Sequence, residues 1–182
     1  LDITMSVTYF AFLRGINVGG NKKVPMAQLK KMLEKMGFSN VKTLLASGNV
    51  ILTGKEENIS SLAKRIALAL ETEFGFPVPV LVRKMSRLEE IAKTQPFKGI
   101  TVTKDIRLYV TFLSEIPKLK LKIPYISEDK SFRIFRLDDD AIYSVLDLSK
   151  GSGTIDAMAI VEKEFGKQVT TRNWNTIERM LK

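Results

Sequence analysis

The chain has 182 residues, 45% of them hydrophobic, and its 29 basic and 20 acidic side chains leave a formal charge of +9 at neutral pH. It holds no cysteine and no histidine, which removes disulfides, thiol nucleophiles, Cys/His zinc sites and imidazole acid–base chemistry together. The hydrophobic share suits one domain or two small ones, no apolar run approaches the ~20 residues needed to span a bilayer, and a soluble cytoplasmic protein without membrane partners is expected. Residues 1–4 precede Met5 and carry no weight in the functional reading. The charge is spread: residues 1–83 hold 11 basic and 6 acidic side chains, and residues 84–182 hold 18 and 14, so neither end is a basic tail.

Residues 6–14 are β-branched and aromatic enough for a buried strand. A stretch rich in glycine, asparagine and basic residues follows, Arg14-Gly15-Ile16-Asn17-Val18-Gly19-Gly20-Asn21-Lys22-Lys23, and delivers the chain to Pro25, which suits a first helical position. Met26, Leu29, Leu33 and Met36 recur at helical spacing before Gly37, a C-terminal cap. Residues 41–46 and 50–53 predict two strands joined by the tight turn Ser47-Gly48-Asn49. Asn58 caps a second helix with Ile59, Leu62, Ala63, Ile66, Leu70 and Phe74 on its apolar face, stopped by Gly75 and Pro77. Residues 78–82 supply a fourth strand.

The order strand, helix, strand, strand, helix, strand is the split βαβ pattern of a ferredoxin-like unit. After a short linker helix at 87–93 a similar series begins, with strands near 106–113, 131–136 and 141–147, a helix at 155–165, a strand at 167–171 and a last helix at 175–181. Thr154 stands where that penultimate helix needs an N-cap. The expected fold is therefore α+β, two tandem ferredoxin-like units with mainly antiparallel sheets and a C-terminal helix, divided into 5–84 and 85–182. The second unit departs where its first helix should stand. Ser114 to Pro124 contains Pro117 and alternates Lys118, Leu119, Lys120, Leu121, Lys122 and Ile123, which reads as an extended sheet edge guarded by lysines.

Gly15 and Gly20 satisfy the two-glycine spacing of a phosphate-binding P-loop, but Asn21 and Lys22 stand where that loop needs lysine followed by serine or threonine. The dinucleotide fingerprint and the calcium-loop spacing are absent too, so no cofactor and no tightly bound metal are expected. Two readings of the glycine loop stay open. It is either an anion nest, with Gly19 and Gly20 admitting a ligand and Arg14, Lys22 and Lys23 supplying charge, or a strand-to-helix turn whose glycines serve geometry alone. Asp138-Asp139-Asp140 reads as a solvated hairpin turn. Phe132, Ile134 and Arg136 are expected on one face of their strand and Arg133, Phe135 and Leu137 on the other. With Tyr143 they form a packing surface, since the RNA-recognition strand signature is missing.

Leu13-Arg14-Gly15-Ile16-Asn17-Val18-Gly19-Gly20-Asn21-Lys22, Ser47-Gly48-Asn49-Val50 and Thr171-Arg172-Asn173-Trp174-Asn175-Thr176 together resemble the bacterial family called domain of unknown function 1697. The resemblance implies tandem ferredoxin-like domains and brings no established activity. It maps onto Arg14, Gly15, Asn17, Gly19, Gly20, Asn21 and Lys22, then Ser47, Gly48 and Asn49, then Arg172, Asn173 and Asn175.

These three motifs are expected to share a site for a phosphate-bearing, nucleotide-like ligand. Arg14, Lys22 and Arg172 would neutralise charge, and Asn17, Asn49 and Asn173 would orient the ligand. Trp174 is expected to anchor the last helix. The alternatives are a nucleic-acid-binding protein, an interaction or scaffold module without a ligand, and an enzyme using Lys22 or Lys23.

Overall fold

The computed structural model describes residues 4–115, 121–151 and 153–182. The chain divides into two compact units, Leu1–Ile91 and Ala92–Lys182. The first contains β1 (Ser6–Leu13), α1 (Met26–Lys35), β2 (Ser39–Leu44), β3 (Asn49–Lys55), α2 (Ile59–Phe74) and β4 (Val80–Lys84), with α3 (Met85–Lys93) following directly. Its sheet runs β2-β3-β1-β4 with every neighbour antiparallel. The second contains β5 (Ile106–Leu113), β6 (Tyr125–Ile126), β7 (Phe132–Asp138), β8 (Ala141–Asp147), a 3₁₀ turn Leu148–Lys150, α4 (Thr154–Phe165), β9 (Val169–Asn173) and α5 (Trp174–Met180). Its strands lie in the order β6-β7-β8-β5-β9, again all antiparallel. Among the described residues the fold is thus α+β, with five helices and two antiparallel sheets.

Alternation along β1 sends Tyr9, Ala11 and Leu13 into the first core, where they meet Val50 and Leu52 of β3, Leu29 and Leu33 of α1 and Leu62, Ile66 and Leu70 of α2. Phe10 and Phe12 point to the opposite face and are also fully buried, which is why β1 reads as a continuous apolar run. The second helix follows its sequence signals closely. The Asn58 side chain accepts from the Ser61 amide at 3.0 Å, and Gly75 ends the helix in a left-handed conformation, φ 84°. Pro25 sits one position earlier than expected, as the N-cap of α1.

In the second unit Tyr109 and Leu113 of β5 pack with Phe132, Ile134, Ile142 and Leu146 beneath Ala157 and Val161 of α4. The hydroxyls of Tyr109 and Thr154 lie 3.2 Å apart. Gly153, not Thr154, is the N-cap of α4, and its amide donates to the Asp156 carboxylate at 3.3 Å. A register shift between Ile134 and Arg136 breaks the expected alternation of β7 and pairs Arg136 with Tyr143. Arg136 consequently lies over the Tyr143 ring, 5.0 Å from its centroid. The two-residue strand β6 was not foreseen, while Pro117, Lys118, Leu119 and Lys120 of the alternating run lie outside the described residues.

Candidate functional site

The glycine loop begins where β1 ends. The Leu13 amide donates to the Gly48 carbonyl at 2.9 Å, and the Arg14 amide to the Pro79 carbonyl at 3.1 Å. Beyond Ile16, which turns back into the core, residues 17–22 fold on themselves. The Asn17 amide donates to the Lys22 carbonyl and the Asn21 amide to the Val18 carbonyl, both at 3.0 Å. Gly19 and Gly20 form the two-residue tip at φ 58° and 76°. Positive φ at both central positions is what a tight hairpin with the right twist demands, and glycine meets it without strain. Asn17 and Lys22, flanking the tip, are also left-handed at φ 55° and 49°. No atom lies within 4 Å of a Cβ built on Gly15, Gly19 or Gly20, so the tip stands in open space.

The base of this hairpin is held by one side chain. Asn17 Nδ2 donates to the carbonyls of Val24 at 3.0 Å and Ala46 at 2.7 Å, and Asn17 Oδ1 accepts from the Val24 amide at 2.8 Å. The amide therefore ties both stems of the loop to the β2–β3 turn, using both of its donors.

That turn, residues 45–48, carries Leu45 at φ 61° and Gly48 at φ 86°. A Cβ on Gly48 would lie 2.7 Å from Leu13 Cβ and 2.9 Å from Ile16 Cδ1, so glycine is required here by space as well as by φ. Asn49 is fully buried at the start of β3, its Nδ2 donating to the Leu44 carbonyl at 2.8 Å and to Ser47 Oγ at 3.0 Å.

The first two motifs therefore meet at one corner of the first unit. Asn17 and Asn49 frame that corner with their amides turned onto the protein. Lys22, Lys23, Asn21 and Ser47 are exposed, and Arg14 is half-buried at the hairpin base. Among the described residues no hydrogen bond occupies the amides of Gly19, Gly20 or Lys23. Val18 and Leu45 add exposed apolar surface, 66% and 47% accessible.

The third motif belongs to the second unit. Arg172 stands on edge strand β9 opposite Val110, and its Nη1 donates to the Thr171 carbonyl at 3.1 Å. Burial pulls its guanidinium down to about 10, so it remains a cation at neutral pH. Asn173 is the N-cap residue of α5 without a side-chain capping bond, and Asn175 is exposed on the first turn. The half-buried Trp174 packs on Phe97 with ring centroids 5.3 Å apart, and Phe97 also meets Phe135 and Tyr143 edge-on at 5.7 and 6.1 Å. An aromatic anchor is thus its structural role.

Asp138 Oδ2 accepts from Tyr143 Oη at 3.2 Å and Arg136 Nη2 at 3.3 Å beside the hairpin turn at Asp139 and Asp140. Among the described residues no group of three or more carboxylates is placed to hold a metal. Sequence reasoning missed the carbonyls of Val24 and Ala46 and the strained Leu45. Backbone carbonyls carry no sequence signal, and leucine is a poor indicator of positive φ.

A family model described as "Protein of unknown function (DUF1697)" matches residues 6–143, a span that includes the glycine hairpin and the Ser47-Gly48-Asn49 turn and ends before Arg172. No curated protein matches the chain. Among solved structures it is similar to the conserved bacterial protein SP0830 from Streptococcus pneumoniae, at 20% identity, a TM-score of 0.72 and 97% coverage of each chain. At that identity the likeness speaks for the fold alone.

Proposed function

The chain belongs to the family of proteins of unknown function DUF1697, and from that premise we propose that its first unit binds a phosphate-bearing ligand at the tip of the 17–22 hairpin. Gly19, Gly20 and Lys23 offer backbone donors, Lys22 and Lys23 bring positive side chains, and Arg14 adds a third at the base. The observation that carries this reading is the Asn17 amide bonded to Val24 and Ala46. A loop fixed at its base holds its donors in place before the ligand arrives, which lowers the ordering cost of binding. The finer fold reading, two ferredoxin-like units in tandem, is supported by the matching order of β2-β3-β1-β4 and β7-β8-β5-β9.

A second reading, nucleic-acid binding, is favoured by the shape of the tip. Open space surrounds its glycines and Val18 is exposed. A convex tip lies readily across a phosphate backbone, whereas a mononucleotide is better held in an enclosed pocket.

Amide NMR of the full chain separates the two, using inorganic phosphate, a nucleotide panel and short RNA and DNA oligomers at low and moderate salt. Saturable shifts at Gly19, Gly20, Lys22 and Lys23 with one mononucleotide support the small ligand. Shifts with oligomers alone, falling steeply as salt rises, support nucleic acid. Unmoved amides with every anion overturn both.

A further inference from the structure

On the outer face of the first unit α1 and α2 leave a groove of about 580 Å³ between them. Its walls are two ladders of helical spacing: Gln28, Lys31, Met32 and Lys35 of α1 with Met36 at its C-cap, and Arg65, Leu68, Ala69, Thr72 and Glu73 from α2. Each ladder follows i, i+3, i+4, i+7, i+8, so each helix offers a continuous stripe beside the one it buries. The floor is apolar. Met32 and Ala69 line it with Met36 and Leu68, and Leu68 is 67% exposed, a large aliphatic side chain in water.

The charge of the rim selects the occupant. At one end Gln28 Nε2 donates to Glu73 at 2.9 Å. At the other Arg65 pairs with Glu57 at 2.6 Å and lies 5.4 Å over the Phe38 ring. Lys31 and Lys35, one turn apart and both exposed, have no carboxylate partner among the described residues. An apolar floor with uncompensated positive charge along one wall complements a helix that carries an apolar stripe edged by Asp or Glu. From Gln28 to Met36 the wall rises about 12 Å at 1.5 Å per residue, enough for two turns of helix. Methionine side chains at the floor re-pack easily around an incoming side chain.

We propose that this groove docks an acidic amphipathic helix of a partner protein. The residues involved are separate from those of the hairpin tip.

The test uses the full chain with ¹³C-methyl methionine and two probes, a short helical peptide with leucines on one face and glutamates flanking them, and its lysine counterpart. The glutamate peptide is expected to shift the methyls of Met32 and Met36 saturably while the lysine peptide leaves them unmoved. Lys31→Glu with Lys35→Glu is expected to weaken the glutamate peptide about tenfold, two exposed pairs at about 0.7 kcal/mol each. Both sites are solvent-exposed, and unchanged thermal unfolding of the variant confirms that the loss is one of binding. Equal response to both peptides, no response to either, a response to anionic vesicles alone, or methyl shifts that grow with protein concentration without peptide each overturn the proposal.

Discussion

Both units place their first strand inside an antiparallel sheet, β1 between β3 and β4 and β5 between β8 and β9, but the described residues of the connections leaving those strands differ. After β1 comes a hairpin of left-handed residues stapled to a neighbouring turn, then α1. After β5 the described residues lead through Ile123 and Pro124 to the short edge strand β6, with no helix among them. Strand order is set by pairing and burial along the sheet, and it accommodates either connection. Among the described residues a stapled hairpin of this kind follows β1 and none follows β5. A candidate site built on such a hairpin is therefore an addition to the sheet, not a consequence of it.

The contrast is broken most severely at Gly48. Gly48→Val is expected to cost about 3 kcal/mol or more, because strain at φ 86° and a collision with Leu13 and Ile16 act together. Gly166→Val in the second unit, at the same φ but with open space around it, is expected to cost about 1 to 3 kcal/mol from strain alone. Urea unfolding of both variants compares them directly, and equal losses would mean that the close approach to β1 contributes nothing.

Asn17→Ala comes next, at about 1 to 2 kcal/mol, since the half-buried bonds to the Val24 amide and carbonyl are lost together with an exposed one to Ala46. Thr171→Val, which breaks the 2.7 Å hydroxyl bond to Thr111, is expected to cost about 1 kcal/mol. Asn17→Asp keeps the acceptor toward Val24 but turns an anionic oxygen onto the carbonyls of Val24 and Ala46, and a loss at least equal to that of Asn17→Ala is the expected result. Lys22→Ala with Lys23→Ala should leave unfolding within about 0.5 kcal/mol of the parent. The same pair should weaken phosphate-bearing probes about tenfold, as loss of charge-assisted contacts implies.

The smallest effects concern two carboxylates, the exposed Glu56 and the half-buried Asp147. Hydrogen bonding and charge from Lys84 hold Glu56 below its ordinary range, and hydrogen bonds from the Ser149 hydroxyl and amide do the same for Asp147. Each stabilises the folded state above its ordinary value and loses that contribution as pH falls through the depressed one. High salt is expected to return Glu56 toward normal while leaving Asp147 low, because only the former depends on an ion pair in water as its leading cause. NMR titration at two salt concentrations checks this, and parallel movement of both would refute the difference in cause.

Much of this architecture was legible in the sequence. Residues 106–113 and 141–147 are the observed strands β5 and β8, because β-branched and aromatic side chains are concentrated there. Asn58 and Gly75 bracket α2 because capping depends on a few local atoms. Edges were less readable. β4 and β9 each begin two residues later than the pattern suggests, since pairing with β1 and β5 decides where a strand starts. At the candidate site the residue types were evident but their tasks were not. Nothing local says that Asn17 reaches Ala46, 29 residues away, or that Asn49 is fully buried. Long-range partners of this kind are fixed only when the sheet closes. The bulge that turns Arg136 onto Tyr143 is likewise invisible to a period-two count.

A loop fastened at its base by one amide and bare at its tip is also a splice point. The closure entropy of a longer excursion rises only slowly with its length, and Asn17 anchors the stems independently of what lies between Val18 and Asn21. A foreign peptide inserted between Gly19 and Gly20 would therefore be displayed on an intact first unit, making this protein a natural presentation scaffold.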